Sequence, residues 1–526
     1  MADISDPSVS APNTTEISKL VTFIEENLRS SPTAGLRFVD TRQLRSRLIL
    51  KQNHIVFGRR GAGKTSLIRS VSGTKVIFDL YLNLEDYNDI TFPNILIHVL
   101  IELFSLLRLR IQSNVPLWWC RPSALKVRQE IRHLERILQQ YVHEPDAETQ
   151  DITTTEASRG EIKAALESKV GGAGGIARRE RSQQVLRKLP KSKIEFLRLE
   201  LTNYKDLIGR ISTLFRHAPI FLLLDDFYFV QKSVQPELID YLHRLTKGTD
   251  LFIKLATIKH RSKLYHRSND QYVGVELGHD IFEIDLDYTL DQFDDLQTFM
   301  REILQKAIDQ SKVNIQIEEM FAGDGFPQLC LASGGVPRDF LSLFVALANG
   351  VVSSSTPIGK VQVSEAAIGT VNNKMESMKR DSGDEDAALD GCLKRIKRYV
   401  YDEKRTNAFL IAKDDLAADE QARQAVRELV DLRLIHLVDH NTSKAPSDGR
   451  RYEAYVIDIS LYSSPRPRSF TQVEPGQRDE KARKDDLRAS PVFALSKLKE
   501  PLPAVPAQAE PLPDIPGQLE LILSEE

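Results

Sequence analysis

The sequence predicts an α/β fold: a parallel-sheet core, a helical region after it, and a smaller C-terminal domain of helices and a β-hairpin. Three stretches carry that prediction. Residues 54–71, HIVFGRRGAGKTSLIRSV, place three glycines between a short apolar strand and a helix. Residues 220–226 run through five apolar side chains into two aspartates. Residues 384–462 alternate helix, short strand, helix, helix and two strands. At 526 residues the chain is long enough for two to four domains.

Composition narrows the class. Hydrophobic residues at 41% and charged residues at 28% suit a soluble globular protein. No apolar run approaches the roughly 18–20 residues needed to cross a bilayer, so no membrane contact is expected. The opening MADISDPSVSAPNTT lacks the basic and apolar regions of a secretory signal, and residues 1–15 are expected to be disordered. Cys120, Cys330 and Cys392 lie far apart without metal-ligand spacing. They predict a reducing cytoplasm, with neither a disulfide framework nor a zinc site. A net charge of −3 gives nucleic acid no global attraction, so any DNA contact must come from a local basic patch.

The core is expected over residues 16–287. Ile55-Val56-Phe57 reads as a buried parallel strand, and Ser66-Leu67-Ile68-Arg69 continues as a helix. Between them, Gly58-Arg59-Arg60-Gly61-Ala62-Gly63-Lys64-Thr65 fits the pattern G-x-x-x-x-G-K-[ST]. Glycines let backbone N–H groups approach phosphate oxygens without a Cβ clash, and the helix N-terminus adds partial positive charge. Residues Gly58 through Ser66 are therefore the expected phosphate-binding set. Lys64 would reach the β- and γ-phosphates of ATP, and the Thr65 hydroxyl would ligate Mg²⁺. The rival reading is a solvated glycine turn, and the strand and helix that flank the loop weigh against it.

A phosphate loop needs an acidic strand end to hold the metal. Ile220 to Leu224, followed by Asp225 and Asp226, reads as a central strand whose acids face the crevice at the sheet's carboxyl edge. Asp225 would hold Mg²⁺ through water, and Asp226 would orient or deprotonate the attacking water. A third strand, Leu251 to Thr257, puts Thr257 within reach of the γ-phosphate or that water. The basic stretch after it, Lys259 to Lys263, is either a solvated loop or a reach toward a neighbouring subunit in a homo-oligomer. In Ala332 to Phe340, Gly334 and Gly335 break the chain and Pro337 suits a first helical turn. Arg338 there would swing over the phosphates from a small helical region at about 288–350.

The order of these parts resembles the AAA+ ATPases of the origin-recognition and initiator type, bacterial relatives included. GRRGAGKT is similar to their phosphate loop, LLLDD to their acidic strand, KLATIK to their first sensor strand and SGGVPRDF to their second-sensor helix. The resemblance covers about residues 36–350 and the C-terminal domain, but not 110–195. It implies a P-loop core with a helical lid at 288–350, a linker at 351–383 and a winged helix at 384–462. It also implies an ATPase that uses ATP and Mg²⁺. Two residues depart from the pattern. Asp226 stands where most members carry the longer glutamate, which implies slow hydrolysis, and Thr257 stands where asparagine is usual.

Within 110–195, Val127, Ile131, Leu134, Leu138 and Tyr141 repeat at steps of four and three. They read either as a heptad seam for a protein partner or as an ordinary amphipathic helix. Glu144–Ser158 reads as a flexible hinge. The glycine run at 171–175 reads as a linker, because no Gly-Lys follows it. The basic residues Arg178 to Lys193 are a phosphate-backbone contact or a solvated helix face. Trp118-Trp119 is packing sooner than a stacking platform. Residues 463–526 read as a disordered proline-rich tail, because the last 62 residues hold ten of the 24 prolines. Its end, Leu519 to Leu523, is a strand for a partner's sheet edge or an untethered terminus.

In the C-terminal domain, Leu389, Leu393, Ile396 and Val400 line one helix, and Ala422, Val426, Leu429 and Val430 another. Leu434–Asp439 and Tyr452–Ile459 pair as a hairpin. The resemblance implies double-stranded DNA contact through Arg423, Gln424 and Arg427 on the helix Glu420–Asp431. Lys444, Arg450 and Arg451 on the wing would touch phosphates. Winged helices also dock proteins. Two functions therefore stand: an ATP switch coupled to DNA, or a nucleotide-controlled scaffold that recruits a protein effector such as a nuclease or toxin.

Overall fold

The computed structural model describes residues 14–28, 35–71, 78–114, 121–143, 192–268, 271–354, 356–382, 386–476 and 485–499. Trp118-Trp119, the 144–158 hinge, the glycine run at 171–175, the basic residues 178–191 and the apolar end at 519–523 lie outside the described residues.

A five-stranded parallel sheet forms the core. It comprises β1 (His54–Phe57), β2 (Phe78–Asn83), β3 (Ile220–Asp225), β4 (Leu251–Thr257) and, after a hairpin of β5 (Tyr265–Ser268) and β6 (Gln271–Gly274), β7 (Phe282–Asp285). The strand order is β2-β3-β4-β1-β7. Every residue of β1 and of β3 is buried, which explains their unbroken apolar sequences: both faces of the sheet are covered. On one face Val56, Phe221, Leu223 and Ala256 pack under Leu67 and Ile68 of the helix Lys64–Ser70. On the other, Ile55, Leu222, Leu224 and Leu255 meet the helices Asn94–Asn114, Lys193–Leu214 and Gln235–Thr246.

The register levels the strand ends. Phe57 pairs with Thr257, and Leu224 pairs with Leu255. The carboxyl ends of β1 and β3 therefore lie on the same edge, separated by β4 alone, roughly 10 Å apart.

The possible heptad seam is an internal packing face. Val127, Ile131, Leu134 and Leu138 are buried in the helix Arg121–His143, and Tyr141 stacks on Phe196 at 4.0 Å. Those side chains are thus not open to a partner.

Beyond β7 the chain forms the helices Phe293–Ser311, Gly325–Ala332 and Pro337–Ser354. The helix Thr14–Asn27 buries Ile17, Leu20, Val21 and Ile24 against this helical group, so residues 16–27 do not belong to the sheet core as expected. The expected linker at 351–383 is also corrected. It holds the end of Pro337–Ser354 and two further helices, Lys360–Gly369 and Val371–Ser382. Val363, Ala367 and Met378 are buried there, and Lys374 pairs with the fully buried Asp458 at 2.7 Å.

The C-terminal domain runs helix Asp386–Lys397, β8 (Ala408–Ala412), helices Lys413–Ala418 and Glu420–Asp431, then β9 (Ile435–Thr442) and β10 (Tyr452–Ile457). Its antiparallel sheet has the order β8-β10-β9. The expected disordered tail is ordered over 463–476 and 485–499. Phe493 N–H donates to the Leu410 carbonyl at 2.8 Å, and Leu410 N–H donates to the Pro491 carbonyl at 2.9 Å. A proline lacks a donor but still accepts, so proline content did not prevent this segment from closing the free edge of β8. Leu487, Phe493 and Leu495 between the prolines are buried. One continuous hydrophobic cluster links the Thr14 helix, the helical group and the C-terminal domain, whereas the sheet has its own two clusters.

Candidate nucleotide site

The glycine loop leaves β1 under tight backbone constraint. Leu286 N–H donates to the Phe57 carbonyl at 2.9 Å, and both oxygens of Asp287 accept from Arg59 N–H at 3.0 and 3.1 Å. Gly61 has φ 88° and Gly63 φ 97°, the left-handed region that favours glycine. A Cβ on Gly61 would stand 2.9 Å from Arg338 Cβ, so the loop passes the Pro337 helix with no room for a side chain. Arg338 N–H donates to the Gly61 carbonyl at 3.3 Å.

Lys64 opens the helix beyond the loop and is buried. Its Nζ donates to the Gly58 carbonyl at 2.9 Å and the Arg59 carbonyl at 3.3 Å, and lies 5.6 Å from the Tyr228 ring centre. Burial pulls its pKa down, while Asp226, Asp287 and Asp225 pull it up.

Asp225 closes β3 and is fully buried. Its Oδ1 accepts from Asp226 N–H at 3.0 Å, and its Oδ2 from the Tyr81 hydroxyl at 2.9 Å. Asp226 follows in the left-handed region at φ 54°. Its carboxyl pKa is pushed up to about 6, first by burial and then by the charge of Asp225, with Lys64 opposing.

These groups meet in a cavity of about 480 Å³. Arg60 through Ser66 form one wall, Asp225 and Asp226 the floor, and Arg338 and Leu341 of the Pro337 helix the roof. Phe38, Phe299 and Ile303 make an apolar end. The strand, glycine loop and helix form a P-loop at the carboxyl edge of a parallel α/β sheet. Of the predicted P-loop set, Arg60, Gly61, Ala62, Gly63, Lys64, Thr65 and Ser66 line the cavity, as do Asp225, Asp226 and Arg338.

Gly58, Arg59 and Thr257 do not line it. The Arg59 side chain is buried, with Nε 3.4 Å from Asp287 and Nη2 donating to the Tyr288 carbonyl at 3.2 Å. It ties the P-loop to the segment that leads into the helical group. Thr257 is fully buried and shares its hydroxyl with Ser262, so it does not face the cavity as expected.

Tyr81, Asn83 and Glu85 line the cavity and were not anticipated. The signal was present in FDLYLN: Tyr81 and Asn83 are polar-tipped positions two apart in a buried strand, and the register sets Asn83 against Asp225.

Three of the expected DNA residues, Arg423, Arg427 and Arg450, are engaged within the chain. Arg427 donates to Glu453 at 2.7 Å and to the Tyr455 hydroxyl at 3.1 Å. Arg423 pairs with Glu420, and Arg450 with Asp414 and Asp415. Arg451 is exposed. The helix Glu420–Asp431 leans on the sheet core. The Gln424 amide reaches the His260 carbonyl at 3.4 Å, and Glu428 lies 3.6 Å from Lys232.

A magnesium ion suits this donor set. Mg²⁺ keeps several waters and takes one or two carboxylates plus phosphate oxygens, and Thr65 and Asp225 supply hard oxygens on one cavity wall and its floor. Among the described residues no group of three or more His, Cys, Asp or Glu is placed to make an all-protein cage.

No family model and no curated protein matches the sequence. Among solved structures the chain is similar to the Walker-type ATPase Paby2304 of Pyrococcus abyssi, at 13% identity and TM-score 0.37, over 80% of this chain and 94% of that one. It is also similar to the Orc1 protein of Aeropyrum pernix in complex with DNA, at 14% identity and TM-score 0.31, over 86% of this chain and 91% of that one. Among the described residues no helix is long and apolar enough to cross a membrane.

Proposed function

We propose that this chain binds and slowly hydrolyses ATP, and that nucleotide state sets the position of a C-terminal winged helix. One observation carries the reading. The buried Lys64 ammonium folds back on the P-loop's own carbonyls inside a cavity walled by the sheet and roofed by Arg338. A buried ammonium that is hydrogen-bonded to backbone carbonyls, with carboxylates nearby but none hydrogen-bonded to it, is poised for an anionic ligand.

In this reading, Lys64 and the N–H groups of Gly61 through Ser66 bind the phosphates. Thr65 and Asp225 would hold Mg²⁺, which would supply neutralisation of phosphate charge. Asp226 orients and deprotonates the attacking water. Arg338 engages the γ-phosphate from the first turn of its helix and loses that contact after hydrolysis. Because the helical lid and winged helix share one hydrophobic cluster, they would shift together against the sheet core. Replacing Lys64 with alanine should abolish ATP binding in a calorimetric titration. Unchanged affinity would end the proposal.

A second reading, a nucleotide-controlled scaffold for a protein effector, is favoured by the internal ion pairs of Arg423, Arg427 and Arg450. Fluorescence anisotropy with duplex DNA, with ATP present, separates the two. A DNA switch gives affinity that falls steeply with salt. A scaffold gives no binding.

A further inference from the structure

We propose that Tyr81 is a positioning residue for the metal site: its hydroxyl fixes the carboxylate of Asp225, and Arg69 fixes the direction of the hydroxyl proton. This rests on the reading of the cavity as an ATP·Mg²⁺ site.

The placement follows from strand geometry. Tyr81 lies opposite Leu223 in the β2–β3 register, and Asn83 opposite Asp225. Residues two apart share a face, so Tyr81 points to the same side of the sheet as Leu223 and Asp225, the side covered by the Lys64–Ser70 helix. That helix carries Arg69. Tyr81, Asp225 and Arg69 all line the cavity.

Hydrogen-bond chemistry then leaves one arrangement. Arg69 Nη2 donates to Tyr81 Oη at 3.2 Å, and its guanidinium carbon stands 4.7 Å from the ring centre. A guanidinium has donors and no acceptors, so Tyr81 must accept from it. The single phenolic proton is therefore committed to Asp225 Oδ2, 2.9 Å away. Asp226 N–H occupies Oδ1 at 3.0 Å. With one donor on each oxygen, the carboxylate plane cannot rotate without losing a bond. Its remaining lone pairs are aimed before any metal arrives. A buried carboxylate without that phenol would have to be oriented by the incoming ion itself, at the expense of metal affinity.

The test is Tyr81→Phe in the full chain, which keeps the ring and removes only the hydroxyl. ATP affinity is measured by calorimetry in EDTA and across a MgCl₂ series, with the melting temperature of the nucleotide-free protein as a check on folding. The expected result is unchanged affinity in EDTA and a half-saturating Mg²⁺ concentration raised about 10-fold. Arg69→Met, which frees the phenolic proton to turn, should raise it by a smaller factor. A purely structural tyrosine would lower both affinities together, and that outcome overturns the proposal. An identical Mg²⁺ series for wild type and Tyr81→Phe overturns it too, while leaving the ATP reading intact. A wild-type chain with no Mg²⁺-dependent ATP binding overturns both.

Discussion

One guanidinium nitrogen of Arg433 donates to both carboxylate oxygens of Asp339, each at 2.6 Å. Arg433 sits in the turn after the helix Glu420–Asp431, and Asp339 follows Arg338 in the first turn of the Pro337 helix. The C-terminal domain therefore grips the residue beside the arginine that roofs the cavity. Both side chains are largely withdrawn from water, at 14% and 19% exposed. Removing one partner leaves the other charge poorly solvated. Arg433→Met should cost about 3 kcal/mol of unfolding free energy, read from denaturant titration. Adding Asp339→Asn should recover part of it, and the double-mutant cycle should show coupling above about 1 kcal/mol.

On the proposed ATPase reading, Asp226 separates binding from chemistry. Its carboxyl lies beside Asp225, while Lys64 and the loop from Arg60 to Ser66 line another part of the same cavity. Asp226→Asn preserves shape and hydrogen bonding but cannot take a proton. ATP affinity should stay within about two-fold, and single-turnover phosphate release should fall about 100-fold or more.

The parts of this molecule that the sequence revealed are those where a local pattern has one structural solution. The run Ile220 to Asp226 had to be a buried strand with acids at its end, and Gly61 and Gly63 had to turn where they do. The helix Glu420–Asp431 was legible because its apolar stripe has a clear helical period; the structure adds that Asp419 caps it, its side chain accepting from Ala422 N–H. What escaped notice depends on distant pairing. Tyr81 acquires its role only when β2 lies beside β3, residues 463–499 only when β8 offers an edge, and the Thr14 helix only when the Pro337 helix presents its face. Thr257 was misjudged for the opposite reason. Its strand was read correctly, but the direction of its hydroxyl is decided by Ser262, five residues on.

Gly334 offers a steric test of the docked C-terminal domain. Its φ is 57°, and a Cβ there would stand 2.1 Å from a ring carbon of the buried His436. Gly278 has φ 86° with open space around it. Gly278→Ala should therefore cost only backbone strain, about 1 kcal/mol, whereas Gly334→Ala should cost at least about 3 kcal/mol, because His436 cannot move without breaking its 2.8 Å contact with Asp458. Urea unfolding of the two variants, side by side, checks the difference.

Asp431 makes the docking of the Glu420–Asp431 helix sensitive to pH. Its Oδ2 is buried without a hydrogen-bond partner. Its pKa is raised to about 7, mainly by burial and next by Asp287, with Arg261 and Arg59 opposing and Glu428 adding to the rise. A carboxyl raised on folding favours the folded state fully below its free value near 4, and that contribution is lost as pH climbs through about 7. His260 at the same interface works the other way, since burial lowers its pKa to about 4 and acid therefore opposes docking. The two overlap in the wild type, so the informative quantity is the difference from Asp431→Asn, where only the carboxyl is removed. Wild type and variant should melt together near pH 4. By pH 8 the variant should be the more stable by about 2 kcal/mol, with the gap opening between those limits. Melting temperatures that stay parallel across that range would mean that Asp431 ionises freely in the folded protein.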